Sequence, residues 1–250
     1  MKIEILGCSG SVMKGYNTTS MLVDSQVLVD AGSAASTLDP AALSGIRHVL
    51  LTHAHIDHIK ELPFVLESVF FTDRVHGITV WGSLDTISIL REHIFNNMVW
   101  PDMEELDIYR DLLRFEVFPG PEFDVGDIHV RVVPVEHSPG SVGFFLSKGH
   151  SQVLFSGDTA YNPDLFDLAR SMTSKLALFF VEASFPDAQE ELARASYHLT
   201  PSMIKKGLNG RMDGIPGVIA CHIKPQYLEE VIDDLPEGVR YVTGGEVFEV

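Results

Sequence analysis

The sequence predicts an α/β (α+β) protein built as a four-layer αββα sandwich, and three observations carry that prediction. Apolar strand-like runs alternate with helical ones through the first third, strand follows strand through the middle, and strand and helix alternate again to the end. Two β-rich halves with outer helices bury their apolar faces best as two sheets packed face to face. With 250 residues, 45% of them hydrophobic, the chain can build a sizeable core. Layered folds of this length are commonly one domain, so 1–250 is expected to form a single one.

The elements follow in order. Residues 2–6, 20–24 and 26–30 read as an antiparallel opening whose second pair turns at Asp24-Ser25. A short helix is predicted over 36–44, with Pro40 in its first turns, and Ile46–Leu51 reads as a buried strand. A helix begins at about 58 and gathers Leu62, Val65, Leu66 and Val69 on one face. Next come a strand at 77–81 and a helix at 84–96 with apolar Ile87, Ile89, Leu90 and Ile94, ended by Pro101. Strands over 113–118, 128–135, 141–147 and 152–156 are punctuated by Pro119-Gly120-Pro121, Gly126 and Gly149. The last third returns to strand and helix over 175–181, 187–196, 201–207, 216–221, 225–234 and 239–242. No internal repeat, low-complexity tract or linker is visible.

Charge narrows the partners. With 35 acidic against 18 basic residues the formal net charge is -17. Proteins that grip nucleic acid gain much of their affinity from Lys and Arg on phosphates, so a nucleic-acid partner is not expected, whereas a small anion held by metal is. No apolar run is long enough for a transmembrane helix, and no membrane partner is expected. The N-terminal residues read as a strand rather than a signal peptide. Cys8 and Cys221 lie far apart and read as free thiols, with the cytoplasm as the expected location.

The chemistry concentrates in Thr52-His53-Ala54-His55-Ile56-Asp57-His58, a loop at the carboxyl end of a strand. A two-metal site needs several neutral imidazoles and carboxylates converging within a few ångströms. Extended spacing sends His53 and His55 to one side, and the turn into the next helix swings Asp57 and His58 toward a second position. His137, Asp158 and His222 each follow a further strand-like run, where open α/β sheets tend to place functional groups. Taken singly, each reads as an ordinary loop or half-buried residue; together they complete a ligand set. Histidines 48, 76, 93, 129 and 150 have no partner spacing and read as surface or core residues. Gly7-Cys8-Ser9-Gly10-Ser11 lacks the lysine of a phosphate-binding loop and reads as a tight turn lining the site. Lys224 reads equally well as a phosphate contact or a solvated lysine.

These motifs, with Ser156-Gly157-Asp158-Thr159, Glu182-Ala183-Ser184-Phe185-Pro186, His198-Leu199-Thr200-Pro201 and His222-Ile223-Lys224-Pro225, resemble the metallo-β-lactamase superfamily. Within it they look most like the class II cyclic nucleotide phosphodiesterases, with tRNase Z as a related branch; Asn96-Asn97-Met98-Val99-Trp100-Pro101 adds to this. The resemblance implies one metal on His53, His55 and His137, another on Asp57, His58 and His222, and Asp158 bridging. Mixed nitrogen and oxygen ligation suits two zinc ions, with manganese or iron as alternatives. Flavodiiron relatives carry Glu where Ala54 stands, which argues against iron redox chemistry.

The implied activity is hydrolysis of 3',5'-cyclic nucleotides to 5'-monophosphates by a metal-activated hydroxide. Asp57 would orient the nucleophile, while Glu182 and His198 would form a proton relay; the plainer reading has Glu182 ending a strand and His198 capping a helix. Tyr197 departs from the class II pattern, which often has Gly there, and could narrow the pocket. The rival readings are another phosphodiesterase of the same superfamily, such as a tRNase Z-like 3'-end nuclease, which the acidic balance disfavours, and a non-catalytic nucleotide-binding scaffold. A homodimer is suggested by analogy with the related enzymes.

Overall fold

In the computed structural model, which describes residues 1–72, 77–107, 112–171, 177–208 and 217–250, two sheets lie face to face with helices on both outer surfaces. His76 and the ends of two predicted strands, 175–176 and 216, fall outside those residues.

The first sheet opens with β1 (Lys2–Gly7), β2 (Ser20–Val23) and β3 (Val27–Val29), paired antiparallel, and continues with β4 (His48–Leu50), β5 (Ile78–Gly82) and β6 (Leu113–Val117), paired parallel. The second repeats this plan. The strands β7 (Glu122–Val125), β8 (Ile128–Pro134), β9 (Val142–Lys148) and β10 (Ser151–Phe155) are antiparallel. They are followed in parallel by β11 (Leu178–Glu182), β12 (Val218–Cys221) and β13 (Val239–Tyr241). A last strand, β14 (Val247–Glu249), returns to the first sheet and pairs with β1, Ile3 facing Phe248. The two halves thus share a topology although the sequence shows no repeat.

Because successive side chains in a strand point to opposite faces, each central strand feeds two cores. Val27 and Val29 face the space between the sheets, where they meet Phe144, Phe155 and Phe180. Leu28 and Val49 face outward onto the helix α3 (Leu62–Thr72), packing with Leu62, Val65, Leu66 and Val69. On the other side, Leu154, Phe179 and Val181 pack on α5 (Pro163–Ser171) and α7 (Pro201–Gly207) through Phe166, Met203 and Ile204. Burial on both faces explains why these strands read as unbroken apolar runs.

Several boundaries differ from the sequence reading. The helix expected over 36–44 is α1, Pro40–Gly45: the Asp39 carboxylate accepts from Ala42 N, and Pro40 starts the helix because its missing N–H costs nothing in the first turn. The helix expected from about 58 begins earlier, as α2 (Ile56–Ile59), and breaks before α3. Residues 84–96 form α4 (Leu84–Ile89) and then a wider π-type turn over Leu90–Ile94. Residues 187–196 divide into a 3₁₀ turn, Asp187–Gln189, and α6 (Glu190–Ala195). A 3₁₀ turn, Pro225–Tyr227, likewise precedes α8 (Leu228–Asp234). Three elements were not foreseen: β7, α5 and β14. The Asp24-Ser25 turn is as predicted, both residues having positive φ (48° and 61°), as a tight hairpin requires.

Candidate metal centre

Every strand that bears a site residue ends at the same edge of the sandwich. The segment after β4 carries Thr52, His53, His55, Asp57 and His58; β3 delivers Asp30, the loop after β8 His137, β10 Asp158, β11 Glu182 and β12 His222. The structure brings all seven predicted ligands together. Single donor atoms lie within 4.8 Å of one another in three overlapping groups: His53, His55 and His137; His53, His58 and Asp158; Asp57, His58 and His222. Asp158 sits at the centre, its Oδ2 3.0 Å from His222 Nε2, 3.3 Å from His58 Nε2, 3.7 Å from His137 Nε2 and 3.8 Å from His53 Nε2.

The hydrogen bonds around the rings fix which nitrogen is available. His137 Nδ1 donates to the Tyr197 carbonyl at 3.0 Å; a carbonyl only accepts, so Nε2 keeps its lone pair and faces His55 Nδ1 at 3.0 Å. Thr52 Oγ1 gives its one proton to Asp30 Oδ2 at 2.8 Å and therefore accepts from His53 Nδ1 at 3.0 Å. Asp30 Oδ2 also accepts from His58 Nδ1 at 2.7 Å. Nδ1 of His222 is held by Thr19 Oγ1 at 2.9 Å. Thus His53, His58 and His137 turn Nε2 toward the centre.

The metal fit rests on two atoms: among the described residues, His53 Nε2 and His58 Nε2 are buried without a well-formed hydrogen bond, the Asp158 carboxylate standing 3.8 Å and 3.3 Å away. A buried polar atom left unpaired is costly, and a divalent cation satisfies both. Two carboxylates and five imidazoles within reach of one another are the donor set expected for zinc, manganese or iron.

Without a cation the charges balance among themselves. Burial opposes protonation of His58, but Asp158 and Asp30 outweigh it and hold the imidazole well above its usual range. Burial would raise Asp158, yet His222 and His58 hold its carboxyl far below the usual carboxylate range. His53, deprived of water and next to His58, is pushed well down and stays neutral.

Glu182 and His198 meet at the wall of this centre. Glu182 Oε1 accepts from His198 Nδ1 at 2.9 Å and from Thr159 N at 3.0 Å, while Oε2 accepts from Ser184 Oγ at 2.8 Å and Ser184 N at 3.1 Å. Burial pushes His198 down, but the Glu182 charge prevails and its pKa is raised; Glu182 is correspondingly lowered. His198 also falls in a group with His137 and Asp158.

Sequence reasoning missed the residues that orient these ligands: Asp30, Thr19, Ser184 and the Tyr197 carbonyl. Asp30 carried a signal, since it ends the strand Val27–Val29 as Asp158 follows another. Asp30, Tyr197 and His222 all have left-handed φ, 56°, 57° and 55°, a cost that surrounding contacts must offset. His222 is fixed on several sides: its N–H donates to Cys8 O at 2.6 Å, its carbonyl lies 3.2 Å from Ser184 Oγ, and Gly10 packs on it so closely that an added Cβ would lie 3.0 Å from the ring. Of the segment read as a tight turn, Gly7 ends β1, and Cys8 and Gly10 meet His222 through their backbones. Tyr197 contributes its carbonyl, its side chain being 45% exposed.

Comparison with known proteins agrees with this geometry. The profile of a family described as Beta-lactamase superfamily domain matches residues 25–212. A Yersinia pestis protein named as a 3',5'-cyclic-nucleotide phosphodiesterase is 26% identical over 285 aligned positions, covering 90% of this chain and 79% of that one. The 3',5'-cyclic-nucleotide phosphodiesterase 1 of Saccharomyces cerevisiae is 37% identical over 59 residues, only 24% of this chain and 16% of the yeast protein. The structure of unliganded yeast PDE1 superposes with a TM-score of 0.82 at 18% identity, covering 100% and 99% of the two chains. Human tRNase Z, short form, gives 0.74 at 17%, with coverage of 100% and 99%. At these identities the superpositions speak for the fold. No helix among the described residues is long and apolar enough to cross a membrane.

Proposed function

Because this chain belongs to the metallo-β-lactamase superfamily, we propose that it is a metal-dependent phosphodiesterase that hydrolyses 3',5'-cyclic nucleotides to 5'-monophosphates. The observation that supports this reading is the buried Glu182–His198 pair set against the ligand cluster, an imidazole able to carry a proton beside residues that could hold divalent cations.

His53, His55 and His137 would hold one cation, Asp57, His58 and His222 the other, and Asp158 both. Bound there, divalent metals lower the pKa of a water and offset charge on the phosphoryl oxygens. The chain's own residues do the rest. Asp57, half-buried where Asp158 is fully so, accepts a hydrogen bond from the attacking water and aims it at phosphorus. As the phosphorus–O3' bond breaks, His198 gives its proton to the departing oxygen, and Glu182 stabilises the imidazolium beforehand and fixes its tautomer. The net charge of -17 favours a small monoanionic diester over a long polyanion, which separates this reading from the nuclease one.

The test is an assay of protein reconstituted with zinc or manganese against cyclic AMP, cyclic GMP and bis(p-nitrophenyl) phosphate. Turnover of a cyclic nucleotide to the 5'-monophosphate, lost on Asp158→Ala, is expected. Cleavage of precursor tRNA in preference to cyclic nucleotides would overturn the substrate, and fully metal-loaded protein inert to every diester would overturn the activity.

A further inference from the structure

The centre is walled by carboxylates and imidazoles, and the cationic side chain of Lys224 reaches its edge. Lys224 lies two residues beyond His222, and its Nζ donates to the Gly10 carbonyl at 3.2 Å. The same ammonium stands 5.2 Å over the ring of Phe185. Both contacts are themselves parts of the wall. Gly10 packs against His222, an added Cβ there falling 3.1 Å from its Nε2, and the Phe185 ring lies 5.7 Å from that of His198. His198 and His222 are in turn stacked with centroids 5.7 Å apart. The charge of Lys224 is therefore pinned beside the proposed proton donor and a proposed metal ligand.

An ammonium has three N–H groups, and one is taken by Gly10. Among the described residues no carboxylate pairs with it. A half-buried cation without a carboxylate, in a chain with about twice as many acids as bases, is poised for an anion that comes from outside.

We infer that Lys224 is a specificity-determining residue of this site, its free N–H groups binding an unesterified phosphoryl oxygen of the substrate between His198 and His222. The inference rests on the phosphodiesterase reading and deepens it. The charge on the phosphoryl group grows as water adds to phosphorus, so a fixed cation there binds the transition state more tightly than the ground state. A free phosphate offers the same oxygens and serves as the probe.

The experiment compares wild type, Lys224→Gln and Lys224→Arg, all reconstituted with zinc and matched for metal content. Gln can still donate to Gly10 but has no charge; Arg keeps the charge. Calorimetric titration with inorganic phosphate should show affinity weakened roughly 10-fold in Lys224→Gln and largely kept in Lys224→Arg, with kcat/KM for bis(p-nitrophenyl) phosphate falling roughly 10–100-fold in the former. In wild type, phosphate should slow acetylation of Lys224 by acetic anhydride, read by peptide mass spectrometry, relative to the other lysines. This measurement decides the matter even if Lys224→Gln folds poorly. Equal phosphate affinity in wild type and Lys224→Gln, no phosphate binding at all, or no protection of Lys224 would each overturn the inference. Diester turnover with lysine-independent phosphate binding removes the inference alone. Lysine-dependent phosphate binding without turnover of any diester leaves the anion subsite standing and removes the phosphodiesterase reading.

Discussion

Nδ1 of His198 donates to Glu182 Oε1 across 2.9 Å, and both side chains are buried at the wall of the metal centre. The bond commits one ring nitrogen and leaves the other to exchange a proton. Replacing His198 by Ala should lower kcat on bis(p-nitrophenyl) phosphate about 10²–10⁴-fold, the usual span for a general acid. Metal content by atomic absorption should stay at the wild-type level; loss of metal instead would make His198 a ligand.

The same pair sets a pH dependence. Burial favours the neutral imidazole, and the Glu182 charge overcomes it, so the His198 pKa is raised. A general acid must be protonated, so the rate falls as pH rises through that value. In Glu182→Gln burial loses its main opponent, only the Asp158 charge still counters it, and the pKa drops. The alkaline limb of kcat should therefore move to lower pH, and an unmoved limb would assign the limb to another group.

Metal binding should expel protons. In the cation-free protein Asp158 and Asp30 hold His58 protonated well above the usual histidine range despite its burial. A metal at Nε2 must displace that proton, so apparent affinity weakens as pH falls. Calorimetry in buffers of different ionisation enthalpy should report about one proton released on filling the position that His58 ligates, and little at the position of His53, His55 and His137, whose imidazoles are already held neutral. Saturating zinc at about 100 times its Kd should add about 2.7 kcal/mol of stability, lost again on chelation.

Asp30 touches no metal position yet orients two ligands, directly through His58 and through Thr52 to His53. Its Oδ1 also accepts from Thr52 N at 2.8 Å. In Asp30→Asn one acceptor becomes a donor facing donors. Metal affinity should fall about 10–100-fold, with a loss of about 1–3 kcal/mol in stability of the metal-free protein, read by denaturant titration.

Tyr197 holds a left-handed φ of 57°, where a Cβ is disfavoured, and its ring is 45% exposed. A glycine at this position removes that strain. Strain relief of about 1–2 kcal/mol, offset by about 0.4–1 kcal/mol of added chain entropy, leaves Tyr197→Gly more stable by up to about 1.6 kcal/mol. The melting temperature should rise by about 2–4 °C, with metal affinity unchanged because His137 needs only the carbonyl. A fall in melting temperature would show that the tyrosine ring packs for more than the strain costs.

What the sequence by itself determined was the chemistry and its place on the chain. His53, His55, Asp57 and His58 are close in sequence, and His137, Asp158 and His222 each follow a strand-like run, half-exposed before His137 and buried before the other two. Their convergence follows from strand ends meeting at one edge. Less was legible where the pattern was weak: β7 and β14 are short and partly exposed edge strands without clean alternation, and α5 opens on Pro163 after a polar loop. Only the tertiary structure decided the rest. The repeated topology of the two halves leaves no trace in residue identity, because packing asks for apolar character rather than particular side chains. The roles of Asp30, Thr19 and the Tyr197 carbonyl depend on bonds between residues 22 to 203 positions apart. A hydrogen bond acts over about 3 Å, so which distant groups share one is settled by the fold.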